Sequence, residues 1–299
     1  MARLVRYATA ATLAEFALRT ALGIISLCAG ILFRMPDPRP SRPPRPPKTS
    51  DGLPDARARQ RFRRRLLDWY RKNGRDLPWR RTRDPYHILV SEVMLQQTQV
   101  DRVLPKYEEW LGKYPTLAAL ATAQEDDVAE TWRPLGYNIR PRRLHAIARE
   151  SVARYGGELP SDAGTLLSFK GIGEYTAGAV LSFAFGQRAA ILDTNVARVL
   201  FRVFIGRGQP KAHAMRRQLW SLSRTLLPVR HVFDFNQALM DFGATHCTAR
   251  KPQCLICPMR PSCRAYPFNP DNEHPSAKLR TGPSAKLRTG PSTKLRTGA

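Results

Sequence analysis

Apolar residues recur at three- and four-residue spacing through Phe62, Leu66, Leu67 and Tyr70, and again through Leu144, Ile147, Ala148 and Val152. That spacing lines them along one stripe of a helix, the stripe that faces a core. Glycine, proline and asparagine interrupt the periodic runs at Asn73-Gly74, Gly112, Pro115, Gly136, Gly156-Gly157 and Pro160, where their backbone chemistry predicts helix boundaries. No stretch alternates apolar and polar residues long enough for a strand, and no hairpin signal of the β kind occurs. The pattern predicts an all-α domain over residues 52–266, built as two lobes with a cleft between them.

The two ends break this pattern. Residues 20–33 are apolar, but the stretch is too short to span a bilayer comfortably. A secretory signal, an Arg-containing organellar presequence and a mis-extended reading frame with Met35 as the natural start all account for it, and the last is preferred. Pro36 to Lys48 is rich in Pro and Arg and is expected to be a disordered basic linker. At the other end Pro275-Ser-Ala-Lys-Leu-Arg-Thr-Gly282 recurs at Pro283–Gly290 and, with Thr293 in place of Ala, at Pro291–Gly298. An eight-residue unit with one Leu cannot build a core, so this is a tail and not a solenoid. It either adds non-specific affinity for a polyanion through its basic residues or is an expanded repeat without a role.

Charge adds a partner to the picture. The chain of 299 residues carries 49 Lys and Arg against 24 Asp and Glu, a net +25. Residues 1–50 hold eight basic and two acidic residues, and residues 275–299 hold six basic and none acidic, which leaves +13 on residues 51–274. The globular part is therefore basic in its own right, as expected of a protein that neutralises phosphates.

Two motifs carry chemistry. In Lys170-Gly171-Ile172-Gly173-Glu174-Tyr175-Thr176-Ala177-Gly178 a Gly-x-Gly turn opens into a helix, and the segment before it, Ala163–Phe169, also reads as helical. Helix, Gly-x-Gly, helix is a helix-hairpin-helix, whose exposed N–H groups dock on the DNA backbone without reading bases. Further on, Cys247, Cys254, Cys257 and Cys263 follow the spacing C-x6-C-x2-C-x5-C. Four thiols so close together make a metal or cluster site; a tetrahedral zinc site and an iron–sulfur cluster both satisfy the count.

Five ordered blocks together carry a resemblance. They are Asp76-Leu77-Pro78-Trp79-Arg80, Val90-Ser91-Glu92-Val93-Met94-Leu95-Gln96-Gln97-Thr98-Gln99-Val100, the hairpin, Leu192-Asp193-Thr194-Asn195-Val196-Ala197-Arg198-Val199, and the cysteine loop. The chain resembles the helix-hairpin-helix base-excision DNA glycosylases of the endonuclease III superfamily, most closely their adenine-specific branch, from about Arg75 to Cys263. The resemblance implies a two-lobed all-α fold with a C-terminal iron–sulfur loop. It implies a 4Fe-4S cluster on Cys247, Cys254, Cys257 and Cys263. The organisation expected is an N-terminal extension over 1–51, a glycosylase domain over 52–246, the cluster loop over 247–263 and a disordered basic tail over 264–299. The partner implied is double-stranded DNA with a mispaired base, bound by a monomer in the cytoplasm at the nucleoid, with no membrane partner.

Two carboxylates stand out, because Glu92 follows Ile88-Leu89-Val90 and Asp193 follows Ala190-Ile191-Leu192, each breaking an apolar run. A satisfied buried carboxylate or a helix cap explains either one, and Thr194-Asn195 begins a helix that Asp193 could cap. Cleavage of an N-glycosidic bond needs a proton donor for the leaving base and a stabiliser for the cationic sugar, and two carboxyls in different environments divide that labour. The resemblance assigns Glu92 the acid and Asp193 the anion. It makes Gln97 the residue inserted where the base is extruded and makes Asn195 an orienter of Asp193 or of water. It puts Gly171, Gly173 and Thr176 against the DNA backbone. Tyr175 stands where lyases of the superfamily carry a Schiff-base lysine, so a monofunctional enzyme that leaves an abasic site is expected.

Members of the adenine branch continue into a further C-terminal domain of about 100 residues that helps recognise 8-oxoguanine, and the chain turns low-complexity soon after Cys263 instead. Thr194 stands where many members have glycine. The mismatch thymine/uracil branch shares the Asp76–Arg80 opening and the hairpin tyrosine, and is the runner-up. Gln96-Gln97-Thr98 favours the adenine branch. A catalytically silent iron–sulfur DNA-binding protein would have lost Glu92 or Asp193, and a zinc-stabilised module would leave both unexplained.

Overall fold

The computed structural model describes residues 53–273, and the apolar N-terminal stretch and the octapeptide repeats lie outside them. Among the described residues the elements are helices without a strand. Helix α1 (Ala56–Asn73) starts where Asp55 accepts from the Ala58 amide and ends at Gly74. Helix α2 (Pro85–Met94) is started by Asp84, which accepts from the His87 amide, and by Pro85. Helices α3 (Val100–Lys113), α4 (Leu117–Thr122), α5 (Glu125–Trp132) and α6 (Ile139–Tyr155) follow. Then come α7 (Ala163–Ser168), α8 (Glu174–Phe183), α9 (Thr194–Leu200), α10 (His213–Leu226) and α11 (Val232–Asp241). Helices α9 and α11 each run on into a π-turn, Phe201–Ile205 and Phe242–His246.

The helices form two groups. In one, α2 packs on α3, α6 and α8, with α4 and α5 against α6 and α7 against α8. In the other, the chain's start and finish meet: α1 lies on α11, and α9 on α10 and α11. Guanidinium groups hold the second group together. Arg63 of α1 donates to the carbonyls of Thr225, Leu226 and Leu227, which end α10 without intrahelical partners. Arg75 and Arg80 both donate to Asp241 at 2.7–2.9 Å, and that carboxylate is fully buried.

Helix α2 has no polar face: from Tyr86 to Met94 only His87 escapes burial, so it runs through the core and carries Glu92 inward. This continuous burial explains why a single carboxylate there stands out in the sequence.

Three expectations need correcting. Gly112 lies inside α3 and does not end it; that helix stops at Tyr114, before Pro115. Val152, counted with the apolar stripe of α6, is 44% exposed, whereas Leu144, Ile147 and Ala148 are buried. The tail does not begin at residue 264. Arg264 and Ala265 donate their amides to the Val203 and Arg202 carbonyls, Glu273 accepts from the Arg202 guanidinium, and Phe268 lies 4.3 Å beneath it. Residues 264–273 are thus packed against the first π-turn, Phe201–Ile205, by contacts that composition alone does not reveal. No helix of the described residues is long and apolar enough to cross a membrane.

Candidate active site

A cavity of about 540 Å³ opens between the two helix groups, lined among others by Arg80, Glu92, Tyr175, Asp193, Gln237 and Met240. Glu92 comes from the buried α2, Tyr175 from the first turn of α8, and Asp193 from the residue that caps α9. Gly178 lets α8 come close to the chain leading into Asp193. A Cβ there would stand 2.3 Å from the Ala190 carbonyl oxygen. The sequence thus brings three distant segments to one cavity.

The Tyr175 hydroxyl donates to Glu92 Oε2 at 2.7 Å and lies 3.2 Å from the Met240 sulfur. Burial pushes the Glu92 carboxyl up to about 7, and the charge of Asp193 pushes the same way, against the Tyr175 hydroxyl and Arg80. Burial and the two carboxylates hold the Tyr175 phenol well above its ordinary range, so it is a neutral donor.

Asp193 is held differently. Its side chain accepts from the Val196 backbone amide at 2.6 Å and from the Asn195 side-chain amide at 3.0 Å. It therefore does cap α9, while its other oxygen stays on the cavity side with Asn195. Burial raises its carboxyl; the Val196 N–H, Asn195 and Arg198 work against that rise. Asn195 is in turn fixed by Arg198, which donates to Asn195 Oδ1 at 2.8 Å, to the Gly243 carbonyl and to the Cys247 carbonyl. Sequence reasoning singled out Asn195 but not Arg198.

Gln97 is exposed, stands between the cavity-lining Gln96 and Thr98, and takes a left-handed backbone with φ 58°, so it lies in a turn and not on a helix. In the hairpin, Gly171 (φ 110°) and Gly173 are exposed while Ile172 is buried beneath them. The turn conformation of Gly171 is one that a residue with a side chain rarely adopts. Thr176 is 3% exposed, so its side chain does not reach the surface and any contact from this position is by its backbone.

Arg80, Gln237 and Met240 were not foreseen as cavity residues. Gln237 is 2% exposed and its carbonyl oxygen has no protein partner. The available signal was the polar pair Asn236-Gln237 inside an apolar helix.

The four cysteines are all free thiols and line one recess with Val203, Phe242, Met259, Ala265 and Phe268. Burial pushes the Cys257 thiol up to about 11 and the Cys263 thiol up to about 12. Such thiols ionise only when cationic metal compensates. Among the described residues no three ligands converge closely enough for one metal ion. Four cysteine thiols around one recess supply the ligand set of an iron–sulfur cluster. Arg202 stands at the recess with Nη1 3.6 Å from the Cys247 sulfur.

A paired-carboxylate cavity, a helix-hairpin-helix and a four-cysteine loop on an all-helical frame define a DNA-repair class of protein. Residues 90–225 match the model of the HhH-GPD superfamily of base excision DNA repair proteins, and residues 247–263 match the iron–sulfur binding domain of endonuclease III. The chain is 46% identical to the human adenine DNA glycosylase, over 68% of this chain and 39% of that protein. It is 44% identical to the adenine DNA glycosylase of Mycobacterium tuberculosis, over 65% of this chain and 64% of that protein. It thus spans well under two thirds of the human relative. A solved thermostable thymine-DNA glycosylase is 36% identical, with a TM-score of 0.65, over 70% of this chain and 96% of that one. A trapped endonuclease III–DNA covalent intermediate is 25% identical, with a TM-score of 0.60, over 69% of this chain and 95% of that one. The chain belongs to the HhH-GPD superfamily of base excision DNA repair proteins and carries its iron–sulfur loop.

Proposed function

We propose that the protein is a monofunctional DNA N-glycosylase that releases adenine paired with 8-oxoguanine or guanine and leaves an abasic site. The observation that carries this is the Tyr175–Glu92 hydrogen bond in a cavity shared with Asp193. An extruded base fits a cavity of about 540 Å³. Glu92, raised to about 7, still holds a proton near neutral pH and gives it to the departing base. Asp193, steadied by Asn195 and the Val196 amide, faces the cationic sugar as an anion. Glu92, once ionised, takes a proton from the attacking water. Tyrosine in place of an amine forms no imine with the sugar, so the strand is left uncut.

The hairpin glycines and the basic surface hold double-stranded DNA through its phosphates. Cys247, Cys254, Cys257 and Cys263 hold a 4Fe-4S cluster, which when bound supplies metal–thiolate bonds that pin the loop. The adenine-specific relatives and Gln96-Gln97-Thr98 support adenine as the substrate.

A second reading, removal of thymine or uracil opposite guanine, is favoured by one finding. The solved thymine-DNA glycosylase is covered over 96% of its length by this chain. Chromatographic identification of the base released from A:8-oxoguanine, A:G, T:G and U:G duplexes separates the two. Adenine is expected from the first two. Thymine or uracil without adenine would establish the second reading, and no base from any duplex would leave a DNA-binding protein.

A further inference from the structure

Arg140 is an unexpected place for a cation. It sits in the first turn of α6, where the helix dipole disfavours positive charge, and it is only 3% exposed. No carboxylate is among its hydrogen-bond partners. Its two terminal nitrogens lie within 2.6–3.3 Å of the carbonyl oxygens of Val93, Met94, Gln96, Leu135 and Gly136 and of the Thr98 hydroxyl. The rings of Trp132 and Tyr137 stand 5.3 and 5.1 Å from it. A buried guanidinium compensated by carbonyl and hydroxyl dipoles and ring faces, without a carboxylate, is a costly way to stabilise a helix. It is an effective way to join two loops.

Those loops hold two of the three non-glycine residues with positive φ among the described residues, Gln97 at 58° and Tyr137 at 52°. Left-handed backbone is disfavoured for any residue with a Cβ, and it persists where the surroundings over-determine it. Around Gln97 those surroundings are Arg140 together with the turn's own bonds, Thr98 Oγ1 to the Gln96 carbonyl and the Thr98 amide to the Leu95 carbonyl. Arg140 donates to the Gln96 carbonyl at 2.6 Å on one side and to the Thr98 hydroxyl at 3.2 Å on the other.

We propose that Arg140 is a positioning residue for base extrusion, gripping the chain on both sides of Gln97 so that this exposed side chain is held between the cavity-lining Gln96 and Thr98 before DNA arrives. The inference rests on the reading of Gln97 as the residue inserted into the duplex and adds how that residue is kept in place. A wedge already ordered removes an ordering cost from the extrusion step. Lysine cannot substitute, because a point ammonium does not span two loops as a guanidinium fork does.

The test is extrusion measured by stopped flow, with 2-aminopurine beside the target base, alongside single-turnover base release from the mispair the wild-type protein cleaves. Arg140→Lys should slow extrusion and release about tenfold to a hundredfold on a paired target. It should leave release unchanged where the target lies opposite an abasic site and needs little unstacking. Gln97→Ala should behave alike, and the double variant should be little worse than either single one. Wild-type extrusion in Arg140→Lys together with slow extrusion in Gln97→Ala would overturn the role of Arg140. So would an equal loss on paired and unpaired targets, or additive losses in the double variant. Wild-type extrusion in Gln97→Ala would instead remove the wedge reading, and this inference with it. Should Arg140→Lys fail to fold, Thr98→Val deletes one grip point without emptying the core. It should slow extrusion of the paired target only, and wild-type extrusion in it counts against the proposal.

Discussion

Glu92 and Tyr175 set the acid–base behaviour of the cavity. In the proposed reaction only the protonated Glu92 donates, so single-turnover base release should fall as pH rises through about 7. The Tyr175 hydroxyl stabilises the ionised carboxylate and pulls that value down. Tyr175→Phe should therefore move the alkaline limb to higher pH, and an unmoved or lowered limb would contradict the pairing. Glu92→Gln should lower base release by about 10²–10⁴-fold while raising thermal stability at pH 8. The sign follows from linkage: a carboxyl raised on folding contributes stability below its unfolded value, and that contribution is lost as pH climbs through the folded value near 7. The stability gain of Glu92→Gln should thus be present at pH 8 and vanish below about pH 4, as melting curves at the two pH values would show. Glu92 was legible in the sequence because a lone carboxylate breaks an apolar run. Arg80 was not, since its role as neighbour to both Asp241 and Glu92 depends on two helix groups meeting.

At the scale of elements, periodicity and caps located the helices well. The stripe through Phe62 and Leu66 and the stop at Gly74 describe α1, and Ala163–Phe169 matches α7 with the residue that ends it. Failures came where tertiary packing decides. Gly112 is tolerated near the end of α3, and Val152 lies outside the buried stripe of α6. The packing of α8 on the Ala190 segment that leads to Asp193 was likewise invisible, although Gly178 marks it. Gly178→Ala would drive a methyl group into the Ala190 carbonyl. It should destabilise the fold by about 1–3 kcal/mol and lower base release by shifting Tyr175 and Glu92 away from Asp193. Denaturation together with single-turnover rates checks both; a stable variant with full activity would show that α8 has room to move.

At the scale of the whole molecule, the ends carry nearly half of the net +25 and lie outside the described residues. Removing residues 1–50 and 275–299 should leave base release at saturating enzyme unchanged. Duplex affinity should drop, and the log–log salt dependence should flatten by about 0.9 for each phosphate that the ends no longer neutralise. Loss of release at saturation would make the ends part of the catalytic unit. The cysteine spacing announced the cluster loop, whereas the packing of residues 264–273 through Arg202, Glu273 and Phe268 rests on long-range interactions with no local signature. The central claim is a hydrolytic pair of carboxylates served by a tyrosine and not by an amine. Its most direct measurement is the single-turnover reaction on an A:8-oxoguanine duplex, resolved on a gel before and after alkali, with the released base identified by chromatography and borohydride added only to a parallel reaction. The account predicts free adenine, an intact strand until alkali is added, and no trapped adduct. A strand cut without alkali, or a borohydride-stable protein–DNA adduct in good yield, would contradict it.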